Sequence, residues 1–109
     1  MISEVAFTEM ALSFPGTEQR PHFDRQAYRV AGKRIFATYL PEDGTANIFL
    51  TPEEQSGFCS IDPVNIFPVS NKWGDNGATT FDLKGVSRDL VLEALFVAYN
   101  QVLEPRGKR

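Results

Sequence analysis

The sequence predicts an α+β fold: a two-layer sandwich in which helices cover one face of a mainly antiparallel, five-stranded sheet. Several short segments alternate apolar and polar residues, as half-buried strands do. Longer segments begin with helix-capping patterns. The connections between strands are too short for parallel crossovers, so the strands pair as hairpins. With 109 residues, 42% of them hydrophobic, the chain has the size of one domain, covering residues 1–109.

The predicted order of elements is helix, three strands, helix, two strands, helix (α-β-β-β-α-β-β-α). The first helix spans about Ser3 to Ser13, and "FPG" at 14–16 ends it because Pro15 disfavours helix in the residue before it. The next three segments are "QAYRV" (26–30), "KRIFATYL" (33–40) and "ANIFL" (46–50). Glycine-containing turns join them, so they form consecutive hairpins.

The second predicted helix begins at "TPEE" (51–54). Thr51 can cap it, Pro52 suits its first position, and Glu54 completes a capping box. We expect this helix to end near Cys59.

Two further strands and a long helix complete the chain. "NIFPV" (65–69) predicts a short strand, and Pro68 indicates an edge position or a strand end because it has no N–H to donate to a neighbouring strand. "ATTFDL" (78–83) predicts the last strand. The final helix runs from its cap, Ser87, to about Glu104 and ends before Pro105. Its apolar stripe is wide, so we expect it to be the main cover of the sheet.

Composition and charge argue against several functional classes. The net charge is −3, which disfavours broad binding to nucleic acid or anionic membranes. The N-terminus has no basic residues and no apolar stretch is long enough to span a bilayer, so we expect a cytoplasmic protein without membrane contact.

The catalytic inventory is small. Cys59 is the only cysteine and His22 the only histidine, so one chain can form no disulfide and no cysteine cluster or histidine pair for a metal. Ser13, His22 and Asp24 lack the sharp turn motif that usually presents a nucleophilic serine. No phosphate-binding loop is present either. We therefore expect a protein that is not an enzyme and that uses no cofactor and no metal.

Basic residues are concentrated in one segment of this acidic chain. Residues 20–34 contain Arg20, Arg25, Arg29, Lys33 and Arg34, against Asp24 alone. The last three project from the predicted first hairpin, where they can meet phosphates. Alternatively, they are solvated charges that discourage edge-to-edge pairing of strands.

Trp73 is the only tryptophan and lies in "NKWGDNGATTF" (71–81), between the last two predicted strands. With Lys72 beside it, the indole can serve as a platform for an anion or a base. The alternative, which we favour from the sequence, is a peg: the indole folds onto the core while Gly74 and Gly77 supply the unusual backbone angles of a turn.

Several segments in order resemble the MmcQ/YjbR family of small bacterial proteins: "ALSFPGTEQRPHFDRQAYRVAGKRIFATY", the "TPEE" helix, "DPVNIFPV", "KWGDNG" and "LEALFVAYNQVLEP". The resemblance covers about Met10 to Pro105. Gly32, Lys33, Lys72 and Trp73 match recurring positions of the family. This chain departs from it at Ala78, where many relatives have a second aromatic residue. The tip "PEDGT" is acidic and would repel phosphates.

The resemblance implies a CyaY-like α+β fold, related in shape to secretion chaperones. Members are often labelled DNA-binding, through a double wing of β-hairpins, and the family has no established catalytic residues to transfer. The first hypothesis is therefore DNA binding by Arg25, Arg29, Lys33, Arg34, Lys72 and Trp73.

Two alternatives stay open. One is a protein-interaction or chaperone-like domain, as a homodimer through a sheet face that exposes Phe36 and Phe49. The other is a small-molecule site, which a pocket beside Trp73 would support.

Overall fold

The structure, a computed structural model, describes residues 1–104. The elements in chain order are α1 (Glu4–Ala11), β1 (Thr17–His22), β2 (Arg25–Val30), β3 (Ile35–Leu40), β4 (Thr45–Phe49), α2 (Pro52–Ile61), β5 (Ile66–Pro68), α3 (Lys72–Asp75), β6 (Ala78–Asp82) and α4 (Arg88–Leu103). The strands form one sheet in the order β1-β2-β3-β4-β6-β5. Every neighbouring pair is antiparallel. The predicted α+β class is confirmed.

One face of the sheet is covered by α1, α2 and α4. Aromatic contacts join the two layers, at ring-centroid distances of 5.5 Å for Phe7–Tyr28, 6.1 Å for Phe36–Tyr99 and 6.1 Å for Phe58–Phe81. Hydrogen bonds support this packing at its margin. The Tyr28 hydroxyl lies 2.7 Å from that of Thr8, and the Tyr99 hydroxyl donates to the carbonyl of Pro15 at 2.7 Å. The core therefore lies between these helices and this face.

The predicted helix starts are confirmed. Ser3, Thr51 and Ser87 are N-caps whose side chains accept a backbone N–H of the first turn. At Thr51 the capping box is complete, because the Glu54 carboxylate also accepts the Thr51 N–H at 2.9 Å. The helix ends differ from prediction by one or two residues, where terminal turns fray. Pro105, expected to terminate α4, lies outside the described residues.

The sheet has six strands instead of the predicted five, because β1 was not predicted. Its sequence, "TEQRPH", contains no apolar residue that could alternate with polar ones. It is an edge strand paired on one side only, with β2. Consequently the hairpin of β2 and β3 is the second hairpin of the sheet, and β1 and β2 form the first. The edge position predicted from Pro68 is confirmed, because β5 is the other edge.

A β-bulge in β3 corrects the expectation for Phe36. Tyr28 pairs with Ala37, but Arg29 pairs with Ile35, so Phe36 has no partner in β2. An unpaired residue of this kind locally breaks the alternation of side chains between the faces. Phe36 is thereby buried against α4. It does not contribute to an exposed aromatic face.

Candidate functional site

A broad groove of about 850 Å³ lies on the face of the sheet opposite the helices and extends to the start of α2, at Thr51 and Pro52, and to Gln101 of α4. Strands β1 to β4, the start of β6 and the segment around α3 line it. The lining side chains relevant to binding are His22, Arg25, Arg34, Thr38, Asn47, Phe49, Asn71, Trp73 and Asn76. Of the six predicted site residues, Arg25, Arg34 and Trp73 meet in this groove. Arg29, Lys33 and Lys72 do not line it.

Trp73 is presented to solvent by the short helix α3, where the sequence suggested only a turn. Asn71 caps this helix, its side-chain oxygen accepting the Trp73 N–H at 2.9 Å. The indole is 69% exposed. The peg favoured from the sequence is therefore wrong, and the geometry is that of a platform at the edge of the groove.

Close backbone packing holds α3 in place. A Cβ at Gly74 would lie 1.6 Å from the Val69 carbonyl oxygen, and one at Gly77 would lie 1.9 Å from that of Leu50. The Gln55 amide donates to the carbonyls of Gly74 and Ala78, at 3.0 Å each. Trp73 is thus an exposed side chain on a closely packed backbone.

The arginines of the first three strands differ in their surroundings. Arg25 lies along the sheet, with a guanidinium nitrogen 3.4 Å from the Thr38 hydroxyl. Arg29 instead donates to the Glu18 carboxylate at 2.6 Å, and Arg20 approaches the same carboxylate at 3.5 Å. The hydrogen bond from Arg29, assisted by the charge of Arg20, lowers the pKa of Glu18. The charge of Arg29 is compensated within the protein, whereas Arg25 and Arg34 have no carboxylate partner among residues 1–104.

The two predicted lysines lie outside the groove. Lys33 follows Gly32, whose φ of 79° forms the turn between β2 and β3. Lys72 is the first residue of α3. Both side chains are exposed. They flank the site and do not form its lining.

Sequence reasoning missed the polar floor of the groove and one of its ends. Thr38 pairs with Asn47, and Asn47 pairs with Thr80, so the three share the open face. The Thr80 hydroxyl donates to the Asn47 side-chain oxygen at 2.8 Å. Asn47 and Thr80 alternate with buried neighbours along β4 and β6, which was a usable signal once the register was known, whereas Thr38 is itself buried. His22 lies at the end of β1 and lines the groove, and it was missed because β1 was not predicted.

The tip of the β1–β2 hairpin has an unusual backbone. His22 pairs with Arg25, which leaves Phe23 and Asp24 as a two-residue turn. Phe23 has φ 60° and is 95% exposed. The first position of such a turn normally carries glycine. The ring makes an edge contact with His22 at 4.9 Å and packs on no core residue.

Within residues 1–104, the metal-ligating side chains are not clustered and the one cysteine is partly shielded. Residues 1–104 hold no group of three His, Cys, Asp or Glu side chains that could bind a metal ion. Cys59 is half-buried in α2, and burial raises the pKa of its thiol. Among the described helices, none is long and apolar enough to cross a membrane.

Comparisons with known proteins agree with this architecture. The family model named YjbR matches residues 12–101. The crystal structure of Deinococcus radiodurans protein DR2400, which has a DUF419 domain, superposes with a TM-score of 0.81 at 19% sequence identity. The superposition covers all of this chain and 83% of that one. At this identity the likeness establishes a shared fold. No curated protein matches the chain.

Proposed function

We propose that this chain, which belongs to the YjbR family, binds nucleic acid with the open face of its sheet and catalyses no reaction. One observation carries the proposal. The chain has more acidic than basic residues, yet the groove lining formed by residues 1–104 contains two arginines and no aspartate or glutamate. A cleft lined by one sign of charge attracts the opposite charge.

The aromatic lining supports the same proposal. Trp73 and Phe49 lie in one groove with Arg25 and Arg34. Aromatic rings beside arginines are the usual elements of surfaces that contact both bases and phosphates. The expected role of Lys33 and Lys72 changes accordingly: they act as flanking charges that attract the ligand, and the groove makes the contacts.

A titration of labelled DNA followed by fluorescence anisotropy tests the proposal. DNA is offered as a single strand and as a duplex, at low and at moderate salt. Sites of this type bind nonspecifically with dissociation constants of about 1–100 μM at physiological salt, and more tightly at lower salt. If neither form binds at tens of micromolar protein in low salt, nucleic-acid binding is refuted.

A pair of variants makes the test specific to the groove. Arg34→Gln should weaken binding and reduce its salt dependence. Arg88→Gln, at the start of α4 on the helical side, also removes one exposed arginine and should leave binding unchanged. If both variants lose the same affinity for DNA, binding depends on the net charge of the protein and not on this face of the sheet.

A second candidate function is self-association, and the outer surface of α4 favours it. Leu92, Phe96 and Leu103 lie on one side of the helix by their spacing and are all exposed. Light scattering tests this function directly. If the protein is a monomer at high concentration, self-association is refuted. The apparent mass of Phe96→Ala should then equal that of the unmodified protein.

A further inference from the structure

We infer that the ligand of the groove is single-stranded nucleic acid; this inference rests on the proposed function and specifies its substrate class. The groove places three aromatic rings, His22, Phe49 and Trp73, on the same surface as Arg25 and Arg34. This surface is suited to unpaired bases, which a closed duplex does not offer.

The first feature is the exposure of the indole. Trp73 is 69% exposed on a helix whose backbone is packed against Val69. Its ring face is open to a flat partner, and every base has such a face. The bases of a duplex are stacked on each other and are not accessible to a side chain of this kind, so an exposed platform favours an unstacked strand.

The second feature is the set of amide groups between the rings. The side-chain oxygen of Asn47 accepts from Thr80, and that of Asn71 accepts from the Trp73 N–H. Because these bonds use the oxygens, the amino group of each amide is left as a donor. Donors beside an aromatic platform can bind the acceptor atoms on the edge of a stacked base.

The third feature is the direction of the groove across the sheet. It extends from His22 in β1 to Trp73 beside β6, and these strands are four neighbours apart. Four inter-strand spacings amount to about 19 Å, which corresponds to between about five and six nucleotides at the stacked rise of about 3.4 Å and to fewer in an extended strand. The groove is therefore long enough for several nucleotides in succession.

The tip of the first hairpin extends the aromatic series. Phe23 has a positive φ of 60°, a backbone conformation that is unfavourable for a residue with a side chain. Its ring is almost fully exposed, so burial within residues 1–104 does not offset this cost. A costly conformation that presents an aromatic ring beside the lining residue His22 is consistent with use of that ring in binding.

The test compares four probes in low salt. Three share one base sequence: single-stranded DNA of about 12 nucleotides, the corresponding RNA and the DNA duplex. The fourth is a nucleoside monophosphate. Anisotropy of a labelled strand and quenching of the Trp73 emission report binding independently. We expect both single strands to bind more tightly than the duplex, with quenching of Trp73 when they do. A preference between DNA and RNA then identifies which strand the groove takes.

Variants assign the effect to the groove. Trp73→Ala should weaken single-strand binding about 5- to 150-fold, the effect of losing one stacked base, while Trp73→Phe should retain most of it. Phe96→Ala, an exposed aromatic on α4, should have no effect. With two arginines on phosphates, log affinity should fall with log salt at a slope of about −1.4, and Arg34→Gln should reduce this to about −0.7.

The outcomes separate this inference from the proposed function. Duplex binding as tight as single-strand binding, with Trp73→Ala unaffected, would overturn the inference and leave nucleic-acid binding intact. Monophosphate binding as tight as that of the strand would also overturn it, in favour of a small-molecule site. Absence of binding to every probe would overturn both.

Discussion

Replacement of Gly74 by alanine tests how α3 is held against the sheet. A Cβ at this position would lie 1.6 Å from the carbonyl oxygen of Val69 and 2.6 Å from its carbonyl carbon. Real Cβ atoms essentially never approach closer than 3.0 Å. The neighbours are backbone atoms, which cannot rotate away as the end of a side chain can. Gly74 has no positive φ, so the expected effect is entirely steric.

The size of the effect follows from two contributions. Inserting a methyl group into a packed site costs about 1–3 kcal/mol, and occasionally more. Separating α3 from residue 69 also weakens the two hydrogen bonds of the Gln55 amide to the carbonyls of Gly74 and Ala78, each with a net value of about 0.5–1.5 kcal/mol. We therefore expect a loss of about 2–6 kcal/mol, or about 8–24 °C in melting temperature at about 4 °C per kcal/mol.

Far-UV circular dichroism during urea and thermal unfolding is the appropriate measurement, because Trp73 fluorescence reports on the altered segment itself. Gly57→Ala is the matched control. Gly57 lies within α2 with nothing within 4 Å of a Cβ, so alanine should stabilise the protein by about 0.5–1 kcal/mol. If Gly74→Ala unfolds within about 0.5 kcal/mol of the unmodified protein, α3 is not packed against Val69 as described.

Three further outcomes are expected. Acrylamide should quench Trp73 emission readily in the native protein, because the indole is exposed. If acrylamide quenches it only weakly, the indole folds onto the core instead. Thr8→Val should cost about 1–3 kcal/mol by leaving the buried Tyr28 hydroxyl unpaired, and Tyr28→Phe should cost less; the opposite order in urea midpoints would contradict the assignment. Because the hydrogen bond from Arg29 lowers the pKa of Glu18, the carboxylate stabilises the fold above its unfolded pKa, and this contribution is lost as pH falls through the lowered pKa. Glu18→Gln should therefore make acid unfolding less steep, and an unchanged pH profile would argue against the ion pair.

Local signals in the sequence were sufficient to predict most elements. A helix start depends on residues only a few positions apart, so the caps at Ser3, Thr51 and Ser87 could be recognised without tertiary information. Pro68 identified an edge strand because the missing N–H is a property of the residue itself. By contrast, β1 has no apolar alternation. It exists because β2 offers it an unpaired edge.

The candidate site was harder to predict, because it depends on which strands become neighbours. Arg25, Arg34 and Trp73 were predicted from local charge and from an unusual tryptophan, and the fold brings them to one groove. The exposure of Trp73 could not be derived, since a turn containing Gly74 is compatible with an indole on either side. Arg29 lies on the same strand as Arg25, four residues further on and on the same face, but the β1–β2 register places it opposite Glu18.

The chemistry of the open face distinguishes the candidate functions. A stable obligate dimer through this face would need a predominantly apolar centre. Here Thr38 and Asn47 interrupt a lining that also includes the apolar residues Ile35, Leu50 and Val69, and hydrogen bonds from Arg25 to Thr38 and from Thr80 to Asn47 satisfy part of their polar groups. A dimer that covered this face would also have to bury the charges of Arg25 and Arg34. Of the aromatic rings of the groove, Phe49 and Trp73 lie towards one end and His22 lies at the other, so a ligand could stack at the ends without displacing Thr38 and Asn47. The same division, a hydrogen-bonded floor with rings and guanidinium groups around it, is expected of a surface that binds and releases a charged, planar ligand.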